Sequence, residues 1–169
     1  MITKVNTKEQ IAATAHLAHK IWNQHYVPII GQDQVDYMLA NFQSEDAIAE
    51  QITSGYEYYL LNEEDQAIGY LGLRPNYPEG KIMISKIYVD SSTRKKGYGY
   101  KLLEFTGKLA LNRNIRHLWL TVNRHNSNTI NWYLKRGFEI IEEKKFDIGN
   151  GFVMDDYVLE TTAQKLLSK

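Results

Sequence analysis

The hydrophobic period of this chain switches several times along its length, and the order of the switches admits few architectures. "ITKV" reads as a short first strand, and Thr7-Lys8-Glu9-Gln10 then has the form of a capping box. It opens a helix whose apolar side runs Ile11, Ala15, Ala18, Ile21 and Trp22 until Pro28 and Gly31 interrupt it. A second helical region carries Val35, Met38, Leu39 and Phe42 on one side, restarts after Ser44 and closes near Gly55. Beyond it the period shortens. "YEYYLL" and "AIGYLGLR", separated by "NEEDQ", read as a hairpin, and "KIMISKIYVD" after "PNYPEG" is the third strand of a meander. A helix from about Gly97 to Arg113 follows, with Leu102, Leu103, Thr106, Leu109 and Ala110 in one stripe. "HLWLTV" is nearly fully apolar, the kind of strand buried on both faces in a mixed sheet. "NSNTINWYLKR" is a short helix stopped by Gly137, and "FEIIEEKKF" and "FVMDDYVLE" form a hairpin through "DIGNG". The predicted order is β-α-α-β-β-β-α-β-α-β-β, an α/β sandwich on a mixed sheet. No repeat, low-complexity tract or Pro/Ser-rich linker divides it, so residues 1–169 are expected to be a single domain.

Composition excludes several functions. Lys+Arg and Asp+Glu are both 20, so the basic excess of a general nucleic-acid or membrane-surface binder is missing. There is no cysteine, hence no disulfide, thiolate nucleophile or Cys-based metal site. The N-terminal segment lacks the apolar run of a secretory signal, and no stretch approaches the roughly 18 apolar residues of a spanning helix. A cytoplasmic protein with neither nucleic-acid nor membrane partners is expected.

The junction "VDSSTRKKGYGYKLLEF" places two glycines and three cations where a strand turns into a helix. A helix N-terminus carries up to four unpaired N–H groups and about half a positive charge. Glycines there let the backbone curl so that those donors converge on an anion, and Arg94, Lys95 and Lys96 add positive reach. A pyrophosphate at a strand-to-helix turn needs such a segment, although a solvated, glycine-started helix fits the same residues. Two nucleotide motifs fail outright. G-x-x-x-x-G-K-[ST] is missing, and Leu102 occupies the third glycine position of G-x-G-x-x-G.

A second motif removes the ambiguity. In "LTVNRHNSNTINWYLKRGFEII" a strand ends at Val122-Asn123, Asn126 can cap the next helix, and Tyr133 lies two turns in. Seven helical residues turn nearly twice, so positions 126 and 133 share one stripe. Together "IYVDSSTRKKGYGYKLLEF" and "VNRHNSNTINWYLKRGF" resemble the GNAT superfamily of acyl-CoA-dependent N-acetyltransferases. The first matches the family's [QR]-x-x-G-x-[GA] pattern and the second its V-N-x-x-N-x-x-x-x-x-x-Y-x-x-x-G-F frame. The resemblance implies a mostly antiparallel mixed sheet with helices on both faces, and acetyl-CoA as co-substrate. It implies that the strand ending Ile87-Tyr88-Val89 splays from "HLWLTV" and bonds the pantetheine through the backbone of Ile87 and Val89. It further implies that amides of Lys95, Lys96, Gly97, Tyr98, Gly99 and Tyr100 bind the pyrophosphate, that Asn126 bonds the pantetheine, and that Tyr133 sits beside the thioester sulfur.

Family chemistry would be direct attack of a primary amine on the thioester. A phenol of pKa about 10 can protonate a departing thiolate of about 8.5, which makes Tyr133 the expected general acid. The base is open. Many relatives carry a glutamate on the strand ahead of the pyrophosphate loop, but "KIMISKIYV" has no carboxylate, and Ser85 and Lys86 are not ready bases at neutral pH. Glu57, Glu79, His125 or a water relay remain. His16 and His19 lie three apart on a helix, but no third ligand accompanies them and no metal is expected. "YVPIIGQDQVDYMLANF" is where the resemblance places acceptor contacts. Asp33, Asp36 and Tyr37 could meet a cationic small-molecule or peptide amine, or simply be a solvated helix face. A catalytically silent acyl-CoA-binding or regulatory module on the same fold is the rival reading, and the last strands leave a homodimer open.

Overall fold

The backbone of the computed structural model, which describes residues 1–168, changes element wherever the sequence changes period. Strand β1 (Ile2–Lys4) precedes α1 (Lys8–His25), α2 (Val27–Ile30), α3 (Gln32–Phe42) and α4 (Glu45–Thr53). The meander is β2 (Glu57–Glu63), β3 (Gln66–Pro75) and β4 (Lys81–Val89); then come α5 (Tyr98–Asn112), β5 (His117–Asn123) and α6 (Ser127–Lys135). Strands β6 (Glu139–Gly149) and β7 (Phe152–Thr162) and a short α7 (Ala163–Leu167) complete the chain. The seven strands form one mixed sheet in the order β1-β2-β3-β4-β5-β7-β6. Pairs β1/β2, β2/β3, β5/β7 and β6/β7 are antiparallel, and β4/β5 is parallel. None of the described helices is long and apolar enough to cross a membrane.

Local chemistry explains most boundaries. The Thr7 hydroxyl accepts from the Gln10 amide at 3.2 Å while Gln10 Oε1 accepts from the Thr7 amide at 3.0 Å, so the capping box forms as expected. Pro28 does not simply stop α1. It enters the first turn of the four-residue α2, where its missing N–H costs nothing. The last hairpin turns at Asn150 and Gly151, both at positive φ, as the Asn-Gly pair required. Two expectations change. "HLWLTV" is not buried on both faces: β5 alternates, with Leu118, Leu120 and Val122 buried and the intervening side chains half-buried. The chain also adds α7, capped by the Thr162 hydroxyl, which accepts from the Lys165 amide at 3.1 Å.

The chain divides into two compact units, Met1–Pro75 with Ser85–Leu102, and Asn76–Ile84 with Leu103 onward. In the first, Ala18, Val35, Ile48, Tyr58, Tyr70, Leu71 and Leu73 are fully buried, at about 1.5–3 kcal/mol of burial for each large side chain. Gly69 on β3 approaches β4 so closely that a Cβ there would meet the Tyr88 carbonyl oxygen at 2.9 Å. In the second, Ile82, Leu103, Ala110, Leu118, Leu159, Ala163 and Leu166 are fully buried. There β4 and β5 pair Lys81 with His117 and Met83 with Trp119.

Candidate active site

In the first unit the end of β4 is held from one side by β3. The Asp90 amide donates to the Ile68 carbonyl at 2.8 Å. Strand alternation therefore aims the backbone groups of Tyr88 and Asp90 at β3 and those of Ile87 and Val89 the other way. The Tyr88 ring stacks among Trp22, Tyr26 and Tyr70, with centroids 5.3–6.0 Å away.

Asp90 is an organiser that the sequence reading passed over. Its Oδ1 accepts from the Ser92 amide at 3.0 Å and its carbonyl from the Thr93 hydroxyl at 2.9 Å, which caps a single 3₁₀ turn, Ser91–Thr93. Lys20 of α1 reaches Asp90 Oδ2 at 2.6 Å. Burial pushes the Asp90 carboxyl up, but the bonds from Lys20 and Ser92 outweigh it and hold the group below the usual carboxylate range. Alongside, Gln24 accepts from the Ser91 hydroxyl at 2.9 Å and His25 meets Arg94 at 3.3 Å. The last turns of α1 thus brace the segment leading into the glycine junction. The Asp-x-Ser turn was visible in "VDSST"; the grip of α1 was not.

At the junction the chain rises out of the sheet through Lys95 (φ +70°) and Gly97 (φ +77°), both exposed. The first α5 bond runs from the Lys101 amide to the Gly97 carbonyl at 3.1 Å, so the amides of Tyr98 and Gly99 precede the helical ladder. The Tyr98 hydroxyl donates to Glu63, which raises its pKa, and Lys101 lies 4.9 Å from the centre of the same ring. The Tyr98 side chain is thereby held to Glu63, while Lys95 and Lys96 put two exposed cations on the turn. A diphosphate fits a helix start that carries this positive charge.

Lys86 overturns an expectation. On β4 it is 6% exposed, hydrogen-bonded to Gln51 Oε1 at 2.7 Å and to the Tyr58 hydroxyl, with its ammonium 5.1 Å from the Tyr58 ring centre. Burial lowers its pKa to about 7, so a lysine that did not read as a ready base at neutral pH titrates near neutrality. Burial likewise raises the Tyr58 phenol well above its usual value. Gln51 also lines an open cavity of about 280 Å³ with Asn41, Tyr56 and Arg74.

In the second unit β5 ends at Asn123, whose carbonyl accepts from the Asn126 amide at 3.0 Å and whose Oδ1 accepts from the His125 amide at 2.9 Å. Asn126 occupies the N-cap position of α6, but its side chain makes no cap bond. It is 4% exposed, and its Nδ2 has no hydrogen-bond partner among the described residues. The plain capping role is therefore replaced by a buried donor in need of an acceptor, which a pantetheine amide would supply. Tyr133 is 5% exposed on α6, its ring 5.2 Å from Phe138 and 5.1 Å from Trp132.

The same unit holds a residue that sequence reasoning missed. Asp156 of β7 is 1% exposed and stands opposite Asn123 of β5, and neither carboxylate oxygen has a hydrogen-bond partner among the described residues. Burial raises its pKa to about 6; the nearby Thr121 side chain opposes the rise at a geometry short of a full hydrogen bond, and Asp155 adds to it. Its neighbour Asp155 is ion-paired with Arg124 at 3.0 Å. In "FVMDDYVLE" nothing distinguishes the paired carboxylate from the buried one.

The bases considered from sequence lie in ordinary surroundings. Glu57 pairs with Lys4 at 3.2 Å and accepts from the Tyr59 hydroxyl, and Glu79 and His125 are exposed. On α3, Asp33 and Asp36 are exposed, and Asp36 accepts from Gln32 at 2.8 Å, as a solvated face does.

The family model described as acetyltransferase (GNAT) family matches residues 18–138. A curated relative, an uncharacterized N-acetyltransferase in the pepI 3' region of Lactobacillus delbrueckii subsp. lactis, is 28% identical over 141 residues, which is 77% of this chain and 82% of that protein. The PaiA N-acetyltransferase of Thermoplasma acidophilum, solved in complex with coenzyme A, shares the fold with a TM-score of 0.79 at 18% identity, covering 96% of this chain and 99% of that one. The ribosomal-protein-S18-alanine N-acetyltransferase of Escherichia coli gives 0.73 at 18% identity, over 96% and 93%. This chain belongs to the GNAT family of acetyltransferases, enzymes whose co-substrate is acetyl-CoA.

Proposed function

We propose that the protein transfers the acetyl group of acetyl-CoA to a primary amine, borne by a small molecule or a peptide, by direct attack. The observation that carries this reading is the turn through Lys95 and Gly97, both at positive φ, which sets the exposed cations of Lys95 and Lys96 at the start of α5. Amides of Lys95, Lys96, Gly97, Tyr98, Gly99 and Tyr100 hold the diphosphate, helped by the ammonium groups of Lys95 and Lys96. The backbone of Ile87 and Val89, turned away from β3, bonds the peptide-like pantetheine as an added strand would, with Tyr88 as the anchor between them. Asn126 gives its buried Nδ2 hydrogens to the same arm. Bound acetyl-CoA supplies an activated acyl group on a thiol leaving group. Tyr133 gives its phenolic proton to the departing sulfur, which would otherwise leave as a thiolate.

The silent acyl-CoA-binding module keeps one observation on its side: β4 carries Lys86 where a carboxylate would be sought, and its Nζ already serves Gln51 and Tyr58. Thiol release from acetyl-CoA across a panel of small amines, polyamines, aminoglycosides and peptides separates the two. Both readings require coenzyme A to raise the Tm. Turnover that falls in Tyr133→Phe supports the enzyme, whereas binding without thiol release from any amine supports the module.

A further inference from the structure

A carboxylate buried on a sheet and left without partners is costly, because water is lost and nothing replaces it. Asp156 is in that position, and its own chain offers ready remedies that it does not use. Its two partners across the ladders are Asn123 on β5 and Lys144 on β6. The Asn123 side-chain oxygen accepts from the His125 amide, and the Lys144 ammonium turns to Glu142 at 3.8 Å and toward the Phe146 ring at 5.8 Å. Arg124, the other nearby cation, is committed to Asp155 and to Glu143 at 3.4 Å. Thr121 on β5 is a further polar neighbour. Asn123 also links this carboxylate to the α6 motif, since the residue opposite Asp156 holds the Asn126 amide at the start of the helix that carries Tyr133.

Resting on the acetyl-transfer reading above, we propose that Asp156 receives the ammonium group of the acceptor and takes its proton, which makes it the base that β4 lacks. The carboxylate pairs with R–NH₃⁺ on arrival and accepts one proton, leaving R–NH₂ with a free electron pair. That pair forms the new N–C bond at the thioester carbonyl, and the C–S bond breaks with its electrons on sulfur. The sulfur takes the Tyr133 proton, and the remaining excess proton on nitrogen returns to the Tyr133 oxygen. Asp156 then releases its proton to solvent, so one proton leaves per turnover. An acceptor with a single cationic amine and an apolar stem suits a lone carboxylate in a buried setting better than a polycation, which would need further anions beside it.

The test uses the full chain labelled with ¹³Cγ-aspartate, with the Asp156 resonance assigned by its loss in Asp156→Asn, or in Asp156→Ser if the first variant does not fold. n-Butylammonium chloride is the probe, against potassium chloride at equal ionic strength. The Asp156 midpoint is expected to fall by about one unit or more with the alkylammonium alone, because an adjacent cation favours the charged form. A midpoint unmoved by n-butylammonium, moved equally by potassium, or moved only by Lys144→Gln overturns the assignment. Acetyl-CoA is expected to raise the Tm of wild type and Asp156→Asn equally. If it raises neither, the acetyl-CoA reading fails while a shifted midpoint still marks Asp156 as a cation site.

Discussion

Lys20 on α1 and Asp90 at the end of β4 meet at 2.6 Å although 70 positions separate them in the chain. The Asp90 carboxylate is 4% exposed and the lysine nearly half exposed, so the pair sits where a buried acid is reached by a cation still in contact with water. Through that contact a helix braces the segment that leads to the glycine junction.

Asp90→Ala removes the Ser92 cap and strands Lys20. The expected loss is about 1–3 kcal/mol of stability, with Kd for coenzyme A rising about tenfold because the loop ahead of Lys95 loosens. Bonds to the carboxylate hold its folded pKa below the unfolded value. Its contribution is therefore present above about pH 4 and is lost as pH falls through the folded pKa. Thermal melts of both proteins between pH 3 and 7 check this: the gap in Tm should close only at the acid end.

Gly97→Ala tests the junction by conformation alone. Nothing lies within 4 Å of a Cβ built at Gly97, so the substitution meets no clash and only the φ of +77°. A cost of about 1–2 kcal/mol is expected, which the turn relieves by moving its amides out of register. Calorimetry should show coenzyme A bound roughly tenfold more weakly. Higher ionic strength should weaken wild-type binding as well, because Lys95 and Lys96 are exposed cations.

Tyr133→Phe removes the proposed acid and keeps the ring against Trp132 and Phe138. The expected result is a kcat lower by about 10²–10⁴-fold with the coenzyme A melting shift preserved. Unchanged kcat in the thiol-release assay would remove the acid role.

Lys86→Met should be the more stable protein at low pH and lose that advantage as pH rises. The folded pKa of Lys86 is lowered to about 7 from 10.5, so between those values the unfolded chain binds the extra proton and wild-type stability rises with pH. Below pH 7 wild type carries a buried charge, and the methionine variant should be the more stable by about 2–4 kcal/mol. Approaching pH 10.5 the advantage should vanish. Urea melts of both proteins at pH 6 and pH 10 measure it.

Much of this protein is local, and what is local could be read. The Thr7/Gln10 box, the Asn150-Gly151 turn and the stripe of α5 each follow from residues within a few positions of one another, because capping, turn strain and helical period are short-range effects. The order of elements followed from these, and with it the two segments that mark the family. Even there the reading had limits. A buried strand and a half-buried one look alike when nearly every residue is apolar, as "HLWLTV" showed, and Asn126 looked like a cap because asparagine before a helix usually is one.

What the chain could not disclose is how each charged group is solvated. Lys86 and Lys95 are both lysines beside a strand end; one is buried between Gln51 and Tyr58 and titrates near 7, the other is exposed on a turn. Asp155 and Asp156 are neighbours; one is paired with Arg124, and the other is buried with no ion pair among the described residues. Sequence determined which residues exist and which elements they form, since those depend on near neighbours. Tertiary structure alone decided which of them lost their water, because desolvation is imposed by atoms far away in the chain, and that loss turns an ordinary carboxylate or amine into a candidate for chemistry.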